Sequence, residues 1–403
     1  MPKNIDEQLA QLVAGAEHVV PADELEAKLK EGRPLRVKLG MDPTAKDVTL
    51  GWAVPLRKLR RWQDEGHLAV LIVGDFTARI GDPSGRSQTR PQLSKDEVRA
   101  HAEALFDQFF DILSKENVEI RYNSEWLEPL NLTDVLRITS HYTVAKMLER
   151  DDFQKRYHEQ RPISIVEFMY PLMQAYDSVA VRADVELGGT DQLFNLLVGR
   201  DLQRAFDQPP QVALTMPLLE GLDGIQKMSQ SLGNYVGIRE DPAEMFGKLM
   251  SIPDNLVGKY AQLATDLDEA TVRALQEEAA GRGPQAGRAK RRVAHAVVAL
   301  YHGEVAAADA EAAFDRQFRD HAAPEVIDEV TMPPDAVDGE RVYLPRVLAE
   351  LGLASSRSNA RRLISQGGVK LSGETVTNEE VPRGDVVGAV LQVGKRRFVR
   401  VIG

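Results

Sequence analysis

Pro34-Leu35-Arg36-Val37-Lys38-Leu39-Gly40 reads as a strand that stops at a glycine, and Leu68-Ala69-Val70-Leu71-Ile72-Val73-Gly74 reads as a second strand, apolar throughout. Between them, Leu50 to Gln63 carries Leu50, Val54, Leu59 and Trp62 along one helical face, with Pro55 in the first turns, where a missing N–H costs least. Strand, turn, helix and strand in this order make a βαβ unit, and an all-apolar strand suits a parallel sheet covered on both faces. Outward from this unit, Lys95 to Leu113 is helical and Val118 to Tyr122 is a third strand. Val181 to Leu187 and Gln211 to Met216 supply later strands with a helix between them. Residues 123–174 are largely helical and interrupt the rhythm, as an insertion between two halves of a doubly wound sheet.

The fold class expected is therefore α/β. Residues 1–235 form a doubly wound, Rossmann-like parallel-sheet domain, with the helical insertion at about 123–174 and short helices at Asn4 to Ala14 and Ala22 to Glu31. After Tyr235 the strands stop, and Pro242 to His321 reads as helix, which gives an α-helical domain at 236–327. Residues 328–340, with Pro333, Pro334 and Gly339, read as a linker, and 341–403 as a small α+β module. There is no internal repeat.

Composition limits the function classes. In 403 residues there is no cysteine, which excludes disulfides, thiolate zinc sites and a cysteine nucleophile, and suits a reducing cytoplasm. No run reaches the length of a membrane span, and Met1-Pro2-Lys3-Asn4-Ile5-Asp6 has no apolar signal core, so the expected location is cytoplasmic. The net charge is −11, but it is uneven. Residues 341–403 hold eleven Lys and Arg against five Asp and Glu, an excess of +6 on a body of −17. A basic tail on an acidic body suits either a polyanionic partner or a solvated surface.

Four turns carry chemistry. Gly40-Met41-Asp42-Pro43-Thr44 leaves the first strand, and Thr49-Leu50-Gly51-Trp52 opens a helix, whose free N–H groups can hold a phosphate or merely begin the helix. Gly81-Asp82-Pro83-Ser84-Gly85-Arg86, with Arg90 beyond it, places a carboxylate after a parallel strand, with arginines able to reach an anion. A plain tight loop would look the same. Gly188-Gly189-Thr190-Asp191-Gln192 runs from strand to helix. Asp191 there can accept from ribose hydroxyls, or Thr190 or Asp191 can simply cap the helix. Lys227-Met228-Ser229-Gln230-Ser231 is a polar loop whose lysine can close on a triphosphate.

Taken in order, with Gln174-Ala175-Tyr176-Asp177 between the second and third turns, these stretches resemble the bacterial tyrosyl-tRNA synthetases, a class I family. The first and last correspond to its HIGH and KMSKS motifs, and the resemblance runs from about Val37 to the end. It implies that tyrosine is activated by ATP and passed to the 3′ end of tRNA(Tyr), with Mg²⁺ travelling on ATP, no protein-bound cofactor and no protein metal site. It further implies a homodimer joined through the insertion. By resemblance, Asp82, Tyr170, Gln174 and Gln192 hold the amino acid, and Asp177 accepts its phenol hydroxyl. Gly40, Asp42, Gly51, Gly189, Asp191, Lys227 and Ser229 surround the nucleotide. Thr44, Thr49, Trp52, Arg86, Arg90, Lys227 and Gln230 occupy the catalytic positions. Residues 170, 174 and 177 share one helix face, as spacings of four and three require.

The sequence departs from the family at three places. Thr49 and Trp52 stand where HIGH has histidines, Gln230 replaces the second KMSKS lysine, and Lys38 replaces a tyrosine that in some members touches the substrate hydroxyl. Three readings follow: a tyrosine–tRNA ligase using substitute donors, a diverged weakly active or non-catalytic tyrosine- and RNA-binding paralogue, or an enzyme for another aromatic amino acid. The intact pocket favours the first. The tail resembles an S4-type RNA-binding domain, which implies RNA contacts from Arg346, Arg357, Arg361, Arg362, Lys370, Lys395, Arg396 and Arg397.

Overall fold

A computed structural model describes residues 4–43, 47–82, 95–281, 283–318, 327–394 and 397–403. These form two compact units, 1–303 and 304–403. The first unit is built on a six-stranded sheet: β1 (His18–Val20), β2 (Arg36–Met41), β3 (Leu68–Val73), β4 (Val118–Tyr122), β5 (Val185–Gly189) and β6 (Val212–Met216). Their spatial order is β1-β6-β5-β2-β3-β4, parallel throughout except for β1, which runs antiparallel to β6. The chain winds outward from β2 to β4, then returns to β5 beside β2 and winds the other way to β6. The reversal lies between β2 and β5, and the crevice beyond their carboxyl ends is where such sheets bind ligands.

The strands are buried because their residues are apolar on both faces. Val37, Leu39, Val70, Leu71, Ile72, Val185, Leu187, Ala213 and Leu214 are all buried. Two charges interrupt this core, Lys38 on β2 and Glu186 on β5, and they are direct register partners.

The βαβ reading holds, with helix Leu50–Asp64 between β2 and β3. Pro55 corrects one expectation: as the sixth residue of that helix it lies past the first turn, so the Gly51 carbonyl loses its i+4 donor. A second correction concerns β5, which begins at Val185 and not at Val181. Helix Ile165–Val181 runs through the apolar Val179–Val181 and stops only at the left-handed Arg182. The edge strand β1 has no counterpart in the sequence reading. The insertion is helical, with Ser124–Leu127, Leu132–Ser140, Val144–Met147 and Asp151–His158 preceding Ile165–Val181. Pro242–Met250, Val257–Ala264, Glu269–Ala280 and Gly283–His302 complete the first unit.

The second unit holds helix Glu304–Phe318 and a five-stranded sheet. Residues 328–340 are more than a connector. Strand Glu329–Thr331 pairs in parallel with Arg397–Ile402, and Val337–Asp338 pairs with Arg341–Tyr343. Helices Leu344–Glu350 and Arg357–Ser365 pack over a core that includes Leu344, Val347, Leu348, Ile364, Val369 and Leu391.

Candidate active site

Helix Ile165–Val181 faces the crevice with three of the expected side chains. Its capping box, Ser164 with Glu167, fixes the start. Tyr170, Gln174 and Asp177 then follow at spacings of four and three along one face. The Tyr170 hydroxyl donates to Asp42 Oδ2 at 2.9 Å, just beyond the end of β2. Burial, with Asp42 beside it, holds the phenol well above its ordinary range, so it stays a donor. Asp42 Oδ1 accepts from Thr77 Oγ1 at 2.7 Å. Gly74 makes this contact possible, since a Cβ there would sit 2.0 Å from Asp42 Oδ1 and 2.4 Å from Thr77 Oγ1.

Asp177 lies deeper, 3 % exposed. It accepts from Trp126 Nε1 at 2.8 Å and from Asn123 Nδ2 at 3.3 Å. Asn123 also donates to Thr77 Oγ1 at 3.0 Å, which joins Asp177 to Asp42 through two side chains. Burial pushes the Asp177 carboxyl up to about 7, against the pull of Lys38, Trp126 and Asn123.

A second group forms around Asn195, which is 1 % exposed. Its Nδ2 donates to Gln174 Oε1 at 3.0 Å and to Gln192 Oε1 at 2.9 Å, and its Oδ1 accepts from Arg150 Nη1 at 3.3 Å. Gln192 Nε2 donates to Asp82 Oδ2 at 3.0 Å. Asp82, Gln174 and Gln192, far apart in the chain, thus share one network.

The nucleotide-side motifs also meet. Thr49 caps helix Leu50–Asp64 by accepting from Trp52 N at 3.3 Å. Gly51 N donates to Met228 Sδ at 3.3 Å, and a Cβ on Gly51 would stand 3.2 Å from Met228 Cβ. Gln230 Nε2 donates to the Asp47 carbonyl at 2.5 Å. Lys227 Nζ reaches Asp191 Oδ2 at 2.6 Å, so the two motif charges neutralise each other. Ser229 N donates to Asn234 Oδ1 at 2.9 Å. Gly189 lies against the Asp191 carboxylate, where a Cβ would stand 2.7 Å from its Oδ1. Gly40 lies inside β2, which runs one residue past the expected stop to Met41, and a Cβ on Gly40 would meet open space. Thr44, Arg86 and Arg90 lie outside the described residues.

In the second unit, Arg357, Arg361 and Arg362 lie on helix Arg357–Ser365, capped by Ser356, and all three are exposed. Arg361 donates to the Tyr343 hydroxyl at 2.7 Å from Nη2. Arg346 is tied down by Asp335 and Glu350 and keeps 30 % exposure. Lys370 is half-buried on strand Val369–Leu371, and Arg397 donates to the Leu353 carbonyl at 2.7 Å. Lys395 and Arg396 lie outside the described residues.

Thr77, Asn123, Trp126, Arg150 and Asn195 were missed by sequence reasoning. Asn123, directly after β4, and Asn195, one helical turn after Gln192, carry the only local signals: polar residues at the carboxyl edge of a sheet. Lys38 acts on Asp177 through its charge, while its hydrogen bonds go to Gln174 O, Ser178 Oγ and Glu186. Among the described residues no group of three or more His, Asp or Glu side chains could hold a metal ion, and no helix is long and apolar enough to cross a membrane.

Residues 30–319 match the family of class I tRNA synthetases (W and Y), and residues 344–387 match the S4 domain. The tyrosine–tRNA ligase of Moorella thermoacetica is 49 % identical, covering 100 % of this chain and 97 % of the relative. That of Geobacter sulfurreducens is 49 % identical over 99 % of each chain, and that of Symbiobacterium thermophilum 50 % over 99 % and 98 %. Among solved structures, a C-terminally truncated Aspergillus nidulans mitochondrial tyrosyl-tRNA synthetase superposes with a TM-score of 0.62 at 24 % identity, covering 78 % of this chain and 94 % of that one. An Archaeoglobus fulgidus tyrosyl-tRNA synthetase complexed with L-tyrosine gives 0.61 at 22 %, covering 76 % and 100 %. These two show the fold alone. With the family model spanning most of the sequence and relatives near half identity over its full length, the chain belongs to the class I tRNA synthetases, within the bacterial tyrosyl-tRNA synthetase family.

Proposed function

We infer that this chain is a tyrosine–tRNA ligase: it joins tyrosine to ATP as tyrosyl-adenylate, then transfers the tyrosyl group to tRNA(Tyr). The observation that carries this reading is the crevice itself, where Asp82, Tyr170, Gln174 and Gln192 gather above a buried Asp177.

Each residue has a task in this reading. Asp82, Tyr170 and Gln174, with Gln192, receive the substrate ammonium, and Asp177 accepts the phenol hydroxyl at the closed end. The substrate carboxylate oxygen attacks the α-phosphorus and pyrophosphate leaves. A terminal ribose hydroxyl of tRNA then attacks the acyl carbon and AMP leaves. No covalent enzyme intermediate is needed, so the protein works by positioning and by stabilising charge. Gly40, Asp42, Gly51, Gly189, Asp191 and Ser229 frame the nucleotide. Lys227, with Thr44, Thr49, Trp52, Arg86, Arg90 and Gln230, serves the pyrophosphate end. Mg²⁺ enters on ATP and offsets charge on the phosphate oxygens.

The S4 unit holds tRNA through Arg357, Arg361 and Arg362, with Arg346, Lys370, Lys395, Arg396 and Arg397 in support. Residues 1–235 catalyse, 236–327 face the anticodon side, and 341–403 bind RNA. The enzyme works in the cytoplasm as a homodimer. Exposed apolar side chains on the insertion support the dimer, with Leu132 73 %, Val144 63 % and Ile165 81 % exposed.

ATP–pyrophosphate exchange with each of the amino acids tests the assignment. Exchange that depends on tyrosine is expected. No exchange above background would favour a non-catalytic binding protein, and stronger exchange with tryptophan would overturn the substrate assignment.

A further inference from the structure

Lys38 and Glu186 form a fully buried ion pair at 2.9 Å, with side chains 0 % and 1 % exposed, beneath the Gln174 side chain. Burying two charges is costly unless every valence is used. Here Glu186 Oε1 accepts from Lys38 and, at 3.3 Å, from Gln174 Nε2. Its Oε2 accepts from Ser178 Oγ at 3.0 Å and from Gln211 Nε2. Lys38 also donates to Ser178 Oγ at 2.7 Å and to the Gln174 carbonyl at 3.0 Å. The absence of a side chain at Gly199 makes the room, since a Cβ there would stand 2.5 Å from Gln211 Nε2 and 3.3 Å from Glu186 Oε2.

The chemistry of the network allows one direction only. Glu186 can only accept, so it takes the Gln174 amide NH₂ and turns the Gln174 carbonyl oxygen the other way. At the far end, Arg150 can only donate, so it takes Asn195 Oδ1 and turns Asn195 Nδ2 toward Gln174 Oε1 and Gln192 Oε1. Asp82 can only accept, and it takes Gln192 Nε2. Three amides that could each be flipped are therefore set by ionised groups at the ends of the chain.

We propose that Glu186, held by Lys38, is a positioning residue for amino acid recognition: it fixes the Gln174 amide so that its carbonyl oxygen, and not its NH₂, is presented to the substrate ammonium. The inference rests on the assignment of Gln174 to the ammonium site. A flipped Gln174 would point two N–H groups at a cation, and a lost hydrogen bond to a charged group lowers affinity by roughly ten- to a hundredfold.

The test is calorimetric titration of the full chain with L-tyrosine and with 3-(4-hydroxyphenyl)propionate, which lacks the ammonium. The variant is Lys38→Met/Glu186→Gln, which leaves no lone buried charge; Gln174→Ala is the reference, and thermal melting verifies folding. The double variant is expected to bind tyrosine about tenfold more weakly, or worse, while its affinity for the propionate stays within about twofold. In exchange assays KM for tyrosine should rise with kcat little changed. Equal losses for both ligands, or a double variant that does not fold, would reduce the pair to a structural role and overturn the proposal. Unchanged tyrosine affinity in the double variant but weakened binding in Gln174→Ala would overturn it too, with the ammonium site intact. Unchanged affinity in Gln174→Ala would instead remove the ammonium-site assignment itself. Should Glu186→Asp in the Lys38 background recover the ratio between the two ligands, an acceptor at that position is what sets it.

Discussion

Gln230 reaches back to the Asp47 carbonyl at 2.5 Å, so the residue that replaces the second lysine of the KMSKS motif ties that loop to the turn preceding Thr49. The tie is a neutral hydrogen bond from a side-chain amide to a backbone carbonyl. Gln230→Ala should raise KM for ATP in pyrophosphate exchange by about fivefold, the weight of one neutral bond, and leave KM for tyrosine unchanged. An unaltered ATP dependence would show that the loop is held without it.

Asp177 is the only carboxylate assigned to the phenol hydroxyl. Asp177→Ala should lower the preference for tyrosine over phenylalanine by about tenfold, since a buried hydrogen bond that only tyrosine can make is lost. Exchange rates with both amino acids measure this directly, and a preserved preference would place the hydroxyl elsewhere.

The same carboxyl makes stability depend on pH. Its pKa in the folded chain is about 7, raised by burial from an ordinary value of 3.8. Between those values the native state keeps a proton that the unfolded chain has released, so stability from this group falls as pH rises through the window. Asp177→Asn removes that dependence. Its melting temperature relative to the natural chain should therefore increase from pH 5 to pH 8, and a constant difference would contradict the assignment.

Gly74 leaves no space for a methyl group beside Asp42 and Thr77. Gly74→Ala should destabilise the first unit by about 1–3 kcal/mol, as overpacking does, and should separate Asp42 from Thr77. Exchange activity is expected to fall at temperatures well below the melting transition. Full activity at such temperatures would mean that the Asp42–Thr77 contact is dispensable.

The arginines of the S4 unit are not equivalent. Arg357 is 55 % exposed, whereas Arg346 is 30 % exposed and clamped by Asp335 and Glu350. Arg357→Ala should weaken tRNA binding and reduce the slope of log affinity against log salt by about 1, and Arg346→Ala should change the slope less. Filter binding at several salt concentrations distinguishes them, and equal slopes would argue against this ranking.

The first βαβ unit was legible because β3 is apolar throughout and stops just before Gly74, and because the helix between β2 and β3 shows its apolar face in the local sequence. The start of β5 was not. Val179-Ala180-Val181 is as apolar as a strand, and only tertiary packing extends helix Ile165–Val181 through it. Strand β1 has three residues and exists through its pairing with β6, so no periodicity could disclose it. Glu329–Thr331 was hidden in the same way, since its partner lies about seventy residues on. Within the site, Asp82, Gln174, Asp177 and Gln192 stood out through motif order. Asn123, Asn195 and Thr77 did not, because a buried polar group acquires meaning from neighbours that folding supplies. Lys38 and Glu186 were visible as charges inside apolar strands, but their partnership required the register of β2 against β5.

Lys227 pairs with Asp191, so on the proposed reading a polyphosphate would meet a cation that already has an internal counter-ion. On that reading nucleotide entry would be an exchange of one anion for another at the same ammonium group. Its free energy is the difference between two attractions that salt screens alike, and ionic strength should perturb nucleotide capture far less than the tail's hold on RNA.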